Sequence, residues 1–379
     1  MAKWNQKLGM SLLTLGLLAM TPNPVNAADD CASCDPCASD SCDSCFGGFE
    51  IAADFLFWKP CVDDLTYGAS VSRRETSQLN DSAFSRTVKY KNICPEWEPG
   101  FRITVSKEDV WCGLNFSSSY TWLNTDDSSS SCVQCGTALP GWVESPLLHP
   151  ELAPAVPDQE LHCVEGHWDT TYQTWDVLMS YDICCNRCHT FSPFFGLAGL
   201  ILDQSLKVDL YVDECKDLAD SRHIDWVNDY FGVGFKIGSD YTYAICDGWT
   251  IFAMASGTIV AGDADNKYNK NTQIHYTDAT GGSEKYVFQN PDGCVIVPGY
   301  HLQLGLIYES EFCGCVTDVR FGWEYLVWHN IANPRRFSEK GISHGGGVTS
   351  EIYDTSYSSQ ANTTTFGFNG LLVGMDLTF

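Results

Sequence analysis

From Gly47 onward the chain alternates between apolar and polar or small residues. Phe49, Ile51, Ala53, Phe55 and Phe57 share one parity, with Glu50 and Asp54 on the other. Phe101, Ile103 and Val105 alternate with Arg102, Thr104 and Ser106, and Cys112, Leu114, Phe116, Tyr120 and Trp122 continue the theme against Gly113, Asn115 and Ser117. Trp175, Val177, Met179 and Tyr181 oppose Thr174, Asp176 and Ser180. Phe231, Val233, Phe235 and Ile237 oppose Gly232, Gly234, Lys236 and Gly238. Trp249, Ile251, Ala253 and Ala255 begin another such run. In the clearest internal case Tyr300, Leu302, Leu304, Leu306 and Tyr308 face away from His301, Gln303, Gly305 and Glu309. Val319, Phe321, Trp323, Tyr325 and Val327 then oppose Asp318, Arg320, Gly322 and Glu324. Successive side chains of a strand point to opposite faces, so each run predicts a strand with one greasy and one wet side.

Thr364 to Phe379 carries the pattern to its end: Leu371, Val373, Met375, Leu377 and Phe379 alternate with Leu372, Gly374, Asp376 and Thr378. The runs exceed the ~5–6 residues usual in soluble strands and suit the ~9–11 needed to cross a bilayer at a tilt. Residues 191–203 are apolar on both faces, which fits a soluble-core strand or a short helix locally. Segments 61–99, 124–165, 263–293 and 331–363 read as long polar loops, and Ser106–Asp109 and Glu309–Thr317 as short turns. The expected fold is all-β: an antiparallel transmembrane β-barrel of about 12–16 strands with long outer loops and short periplasmic turns.

The N-terminus sharpens this expectation. Lys3 and Lys7 precede the apolar run Leu8–Met20, and Val25-Asn26-Ala27 suits a cleavage site, so residues 1–27 read as a signal peptide. Residues 28–46 form a Cys-rich segment with Cys31, Cys34, Cys37, Cys42 and Cys45 among Asp, Ser and Ala; residues 47–379 are the expected barrel. The chain holds 19 Cys, and an exported chain so rich in cysteine points to disulfides. The five head cysteines are the cross-link candidates. Their Cys-x-x-Cys spacing also suits zinc, but no His lies nearby. The formal net charge of −26 removes nucleic acid from the expected partners. The 12 Trp and 17 Tyr would supply aromatic girdles at the two membrane interfaces.

No Gly-x-Ser-x-Gly elbow and no His-Glu-x-x-His motif is present, and His162 and His167 with Glu165 form only a weak metal pair in a loop. The expectation is a non-enzyme with no cofactor, metal site or catalytic residue. The charged residues on the wet faces are the candidate lumen-facing set: Glu50, Asp54, Arg102, Asp176, Lys236, His301, Glu309, Asp318, Arg320 and Glu324, with Arg320 and Glu324 expected to pair. Leu371, Val373, Met375, Leu377 and Phe379 form the expected barrel-closing signal, resembling the final strand that assembly machinery reads in outer-membrane barrels.

Several stretches look familiar together: Ala53-Asp54-Phe55-Leu56-Phe57-Trp58-Lys59-Pro60, Ser192-Pro193-Phe194-Phe195-Gly196-Leu197, Asn228 to Gly238 followed by Ala255-Ser256-Gly257-Thr258, Phe321-Gly322-Trp323-Glu324-Tyr325 with Trp328, and Gly370 to Gly374. In this order the chain resembles the Legionella-type major outer membrane protein family, including MOMP-like porins of chlamydia-related bacteria. The resemblance covers residues 49–379 in patches and implies a pore-forming bacterial outer-membrane barrel, often oligomeric, in an envelope that disulfides can cross-link. The Cys-rich segment is not part of the family pattern.

The function expected from these readings is a porin for passive diffusion of small hydrophilic solutes and ions, weakly preferring cations because of the acidic excess. Outer-membrane lipids, the barrel assembly machinery, and disulfide-linked envelope proteins or further copies of the chain are the expected partners. The alternative is a disulfide-cross-linked structural or adhesive envelope protein with a closed or plugged barrel. A third reading is a secreted, disulfide-rich β-sandwich.

Overall fold

The computed structural model describes residues 48–378 except 79–80, 134–141, 149–160, 187, 212–220, 247, 265–271, 278–282, 289–293, 313–314 and 345–351. Among the described residues there are sixteen strands: β1 (Phe49–Val62), β2 (Thr66–Gln78), β3 (Asp81–Asn92), β4 (Glu98–Trp111), β5 (Leu114–Cys132) and β6 (Trp142–Glu144). They continue with β7 (Cys163–Tyr181), β8 (Ile183–Asn186), β9 (His189–Tyr211), β10 (Ser221–Cys246) and β11 (Trp249–Ala264). The last are β12 (Thr272–Thr277), β13 (Ser283–Phe288), β14 (Cys294–Phe312), β15 (Cys315–His344) and β16 (Ile352–Thr378).

Ten of these close a ring in the order β1-β4-β5-β7-β9-β10-β11-β14-β15-β16, every pair antiparallel, with β16 returning to β1. The barrel expectation holds, but the ring has ten strands rather than 12–16. The chain spends its length on taller strands: β10 has 26 residues, β16 has 27 and β15 has 30. Much of what reads as loop in the sequence is paired strand. The 124–165 segment zips β5 to β7 as far as Cys132 and Cys163, which are joined by a disulfide. The 331–363 segment zips β15 to β16 out to His344 opposite Ile352. Segment 263–293 supplies β12 and β13, which extend the sheet beyond β10. Glu165 and His167 therefore sit on β7 rather than in a loop, and His162 lies just before it.

The two ends differ as an outer-membrane barrel requires. At one end β4 meets β5 through Cys112-Gly113, β8 meets β9 between Asn186 and His189, β10 meets β11 between Cys246 and Trp249, and β14 meets β15 between Phe312 and Cys315. Phe49 and Thr378 lie at this short-turn, periplasmic end. The first turn sits at 112–113, not at 106–109, because a register irregularity between Lys107 and Trp111 carries β4 further. Cys112 and Gly113 both have positive φ, 50° and 79°, the paired left-handed conformation of a tight hairpin turn.

The exterior face is the one the alternation predicts. Phe55 and Phe57, Phe195 and Leu197, the run from Phe231 to Ile237, the stripe from Tyr300 to Tyr308, and Leu371, Val373 and Met375 are all largely exposed. So wide an apolar surface is a lipid-facing band, not a solvated one. The outer membrane is where this chain resides. Leu377, the next of the closing-strand residues, pairs with Ile51 and Thr317, and Phe379 lies outside the described residues.

Candidate functional site: the barrel interior

The interior has two storeys. The lower, toward the short turns, is polar. Asp54 on β1, Arg102 on β4 and Glu324 on β15 project inward with the parity the alternation assigns them. Arg102 Nη2 donates to Glu324 Oε1 at 2.5 Å, its Nη1 lies 3.7 Å from Asp54, and its Nε donates to Thr121 Oγ1 at 3.1 Å. Glu324 is 1% exposed and also accepts from His301 and, at 2.7 Å, from Gln303. Arg320 bridges Asp54 at 3.0 Å and Asp376 at 2.9 Å. Lys236 on β10 binds Asp176 on β7 at 2.7 Å. These groups line a cavity of ≈ 170 Å³ shared with Asp240, Thr104 and Ser119.

The expected Arg320–Glu324 pair is replaced. Four residues along a strand separate two side chains by roughly 13 Å, whereas cross-strand neighbours sit about 5 Å apart. Each therefore finds its partners on other strands: Arg320 takes Asp54 and Asp376, and Glu324 takes Arg102, His301 and Gln303. Seven of the ten candidate lumen residues, namely Asp54, Arg102, Asp176, Lys236, His301, Arg320 and Glu324, meet in these pairs. Glu50 lies lower and accepts from Ser106 at 2.8 Å; Glu309 and Asp318 face each other across β14 and β15 near the rim. The head candidates Cys31, Cys34, Cys37, Cys42 and Cys45 lie outside the described residues.

The upper storey is apolar. Leu56 and Trp58 continue the inward parity of Asp54 and are completely buried. Trp58 stacks on Phe368 at 5.2 Å, Tyr172 meets Phe368 edge-on at 4.8 Å, and Phe366 meets Phe368 edge-on at 5.0 Å. Leu123, Trp168, Leu200, Leu202, Leu206 and Trp328 belong to the same cluster. Trp328 Nε1 donates to Tyr172 Oη at 3.2 Å. Their strands, β15 and β7, lie five steps apart in the ring of ten, so this bond spans the lumen from wall to opposite wall. The Arg102 guanidinium lies 5.8 Å from the Trp58 ring, joining the storeys by a cation–π contact.

This layer explains residues 191–203. They form part of β9, neither soluble-core strand nor helix, and are apolar on both faces because Phe195 and Leu197 face lipid while Leu200 and Leu202 face a packed interior. Trp58, Tyr172, Trp328, Phe366 and Phe368 are the interior residues that sequence reasoning missed. The available signal was parity: an aromatic in phase with a lumen charge is an inward aromatic.

Above the layer the segment after β1 folds back over the opening. Leu65 and Tyr67 of β2 and its approach, Val143 of β6, and Leu147 are buried in the same cluster. Tyr67 donates to or accepts from Ser129 at 3.1 Å and sits over Gly166 of β7, where a Cβ would come within 2.6 Å of its ring. Glycine at 166 is what admits the tyrosine. Backbone bonds from Val133 to His162 and from Val143 to Leu161 tie the pieces together.

Outside the spanning region, eight residues beyond Phe231, His223 on β10 bonds Asp209 and lies 3.0 Å from Asp225. The hydrogen bonds to Asp209 and then Asp225 push its pKa up to about 10. His167 faces Asp126 at 3.4 Å on the same outer extension, and no cluster of metal-ligating side chains occurs among the described residues.

The outer membrane protease OmpT of Escherichia coli aligns over 88% of this chain and 97% of its own with TM-score 0.42 and 8% identity. The toluene transporter TodX of Pseudomonas putida aligns over 87% and 89% with TM-score 0.29 and 9% identity, and a Pseudomonas aeruginosa FadL homologue over 88% and 90% with TM-score 0.18 and 8% identity. At these scores they carry no argument about this chain. No curated protein matches the sequence. The family model described as Legionella pneumophila major outer membrane protein precursor matches residues 44–379, and the chain belongs to that family of outer-membrane proteins.

Proposed function

We propose that this chain is a closed, non-enzymatic outer-membrane barrel that serves the envelope as a structural surface protein. The observation that carries the reading is the bond from Trp328 to Tyr172 across opposite walls, set in an aromatic layer with no exposed member. Barrel size agrees. An interior of about 8 strands is filled by side chains, and open aqueous channels come with 16–18, so ten strands lie near the filled end. The tall paired strands above the membrane, stapled by Cys132–Cys163, give a stiff outer surface. The buried acid–base groups support the non-enzymatic part, because His301 and Glu324 are consumed by the pairing that holds Arg102.

Liposome swelling tests this. Proteoliposomes in isosmotic arabinose or glucose are expected to swell no faster than empty ones. Swelling at the rate of a general porin would overturn the proposal. A second reading, a gated cation-preferring pore, is favoured by one observation: the polar lower storey with its ≈ 170 Å³ cavity beneath the layer. It predicts intermittent, cation-selective conductance steps from the unaltered protein.

A further inference from the structure

The lower storey does not balance its own charge. It holds five carboxylates, Asp54, Asp176, Asp240, Glu324 and Asp376, against three cations, Arg102, Lys236 and Arg320. A protonated His301 would still leave one negative charge over. Toward the short turns Glu50, Asp318 and Glu309 add to the excess. Lipid surrounds this chamber and the aromatic layer roofs it, and an uncompensated carboxylate in such surroundings is costly.

The excess has an address. Asp240 on β10 faces the ≈ 170 Å³ cavity, yet among the described residues it makes no hydrogen bond and no ion pair. Lys236 and Arg320 act on it only from beyond pairing distance, because Asp176 holds the first and Asp54 and Asp376 hold the second. Nearby, Ser256 on β11 is 7% exposed and its Oγ has no partner. Ser256 stands opposite Gly238 and His301, between Met254 and Thr258, which both line the cavity. Its hydroxyl therefore belongs to the same wall. A Cβ at residue 238 would come within 2.5 Å of Phe194 and 2.6 Å of Ser256, so glycine is what brings the ring against the serine. One wall thus presents a lone carboxylate and an unused hydroxyl beside the apolar side chains of Phe194 and Met254.

These features select among cations. No group of three His, Cys, Asp or Glu side chains that could hold a metal ion occurs among the described residues. An ammonium needs no such cage, because its three N–H donors are satisfied by one carboxylate together with hydroxyl or amide oxygens. Asp240 and Ser256 supply the first two kinds, and Gln303 on the facing strand supplies the third. Size agrees. A cavity of ≈ 170 Å³ far exceeds the share of one water, about 30 Å³, and is close to the about 150 Å³ that holds a benzene-sized guest.

We propose that this cavity binds a small alkylammonium compound, its ammonium on Asp240 and Ser256 and its carbons against Phe194 and Met254. The three carboxylates near the short turns favour its entry from that end. The inference does not depend on whether the barrel conducts.

Equilibrium binding of radiolabelled butylamine to the purified, heat-modifiable full chain in detergent tests it. Saturable binding of about one molecule per chain is expected, displaced by unlabelled butylamine and not by sodium butyrate at the same ionic strength, which keeps the carbon body and inverts the charge. Uptake that does not saturate, or that butyrate displaces equally well, would overturn the proposal. Asp240→Asn should weaken binding by about tenfold or more, the share of a hydrogen bond to a charged group. Asp225→Asn, on the outer extension, should leave it unchanged. Equal affinity in Asp240→Asn, or an equal loss in Asp225→Asn, contradicts the site. Should Asp240→Asn fail to assemble, Ser256→Ala removes only an unpaired hydroxyl and should still weaken binding by about threefold. Unchanged binding in that variant places the amine elsewhere and overturns the assignment.

Discussion

The lower and upper halves of the barrel interior face the same lumen on the same strands, yet they are filled by opposite chemistry. On β1 the change takes one pleat: Asp54 is held by two arginines, and Leu56 and Trp58 above it are sealed among rings. On β15 Glu324 gives way to Leu326 and Trp328 in the same way. The lower half holds charge that no lipid or apolar core would tolerate, and most of its charged groups pair across strands, although Arg320 Nε and Glu324 Oε2 are buried without a hydrogen-bond partner. The upper half excludes water by packing. A channel needs a continuous wet path, and on the closed-barrel proposal that path ends at the height where parity stops delivering polar residues.

That contrast can be broken at defined points. The largest effect is expected from Glu324→Ala. It leaves Arg102 and His301 without their carboxylate in the buried lower storey, and removing one partner of a buried ion pair costs about 3–5 kcal/mol. A marked fall in the temperature at which folded, SDS-resistant barrel converts to the heat-modified form would record it. Glu324→Gln keeps hydrogen-bond acceptors and should fall less. Trp58→Ala attacks the upper storey and is expected to cost about 3–5 kcal/mol as a large-to-small core change, while opening a cavity between Tyr172 and Phe368. If thinning the layer changes stability but never permeability, the layer is packing and not a seal.

The disulfide offers a milder, local break. Cys132 and Cys163 close a stretch of 31 residues, for which chain entropy gives about 3–4 kcal/mol. Reduction or Cys132→Ser should speed proteolysis of the β5–β7 extension and leave the heat-modifiable barrel intact. On the lipid face, Leu304→Arg should cost about 2–4 kcal/mol, the penalty for a charge near mid-bilayer, without touching either storey.

The smallest effect concerns His223. Its folded pKa is raised, so the stabilisation it gives is complete below the unfolded value near 6.5 and disappears as pH rises through about 10. Amide exchange at the outer ends of β9 and β10 should therefore quicken across that window relative to the rest of the barrel. His223→Ala should abolish the difference.

Much of this was legible in the sequence. The exterior was the clearest part, because lipid demands an apolar residue at every second position, and runs such as Tyr300 to Tyr308 repeat that demand. The inward charges followed from parity alone. The strand count did not, because the outer extensions of β5 and β16 are rich in Ser, Thr, Asp and Asn, and their register is set by pairing with β7 and β15 and not by an apolar period. The aromatic layer was hidden for a related reason. Searching for a greasy face against a wet one discards stretches that are greasy on both, and Leu56-Phe57-Trp58, Leu197 to Leu202 and Phe366 to Phe368 are the stretches where wall and core are both apolar.

The account turns on whether the aromatic layer closes the lumen, and single-channel recording in planar bilayers tests that most directly. The purified, heat-modifiable barrel in 1 M KCl is predicted to give no sustained conductance steps, and a variant carrying Trp58→Ala with Phe368→Ala is predicted to give them, with a cation-sign reversal potential in a salt gradient. Sustained steps from the unaltered protein, unchanged by thinning the layer, would contradict the account.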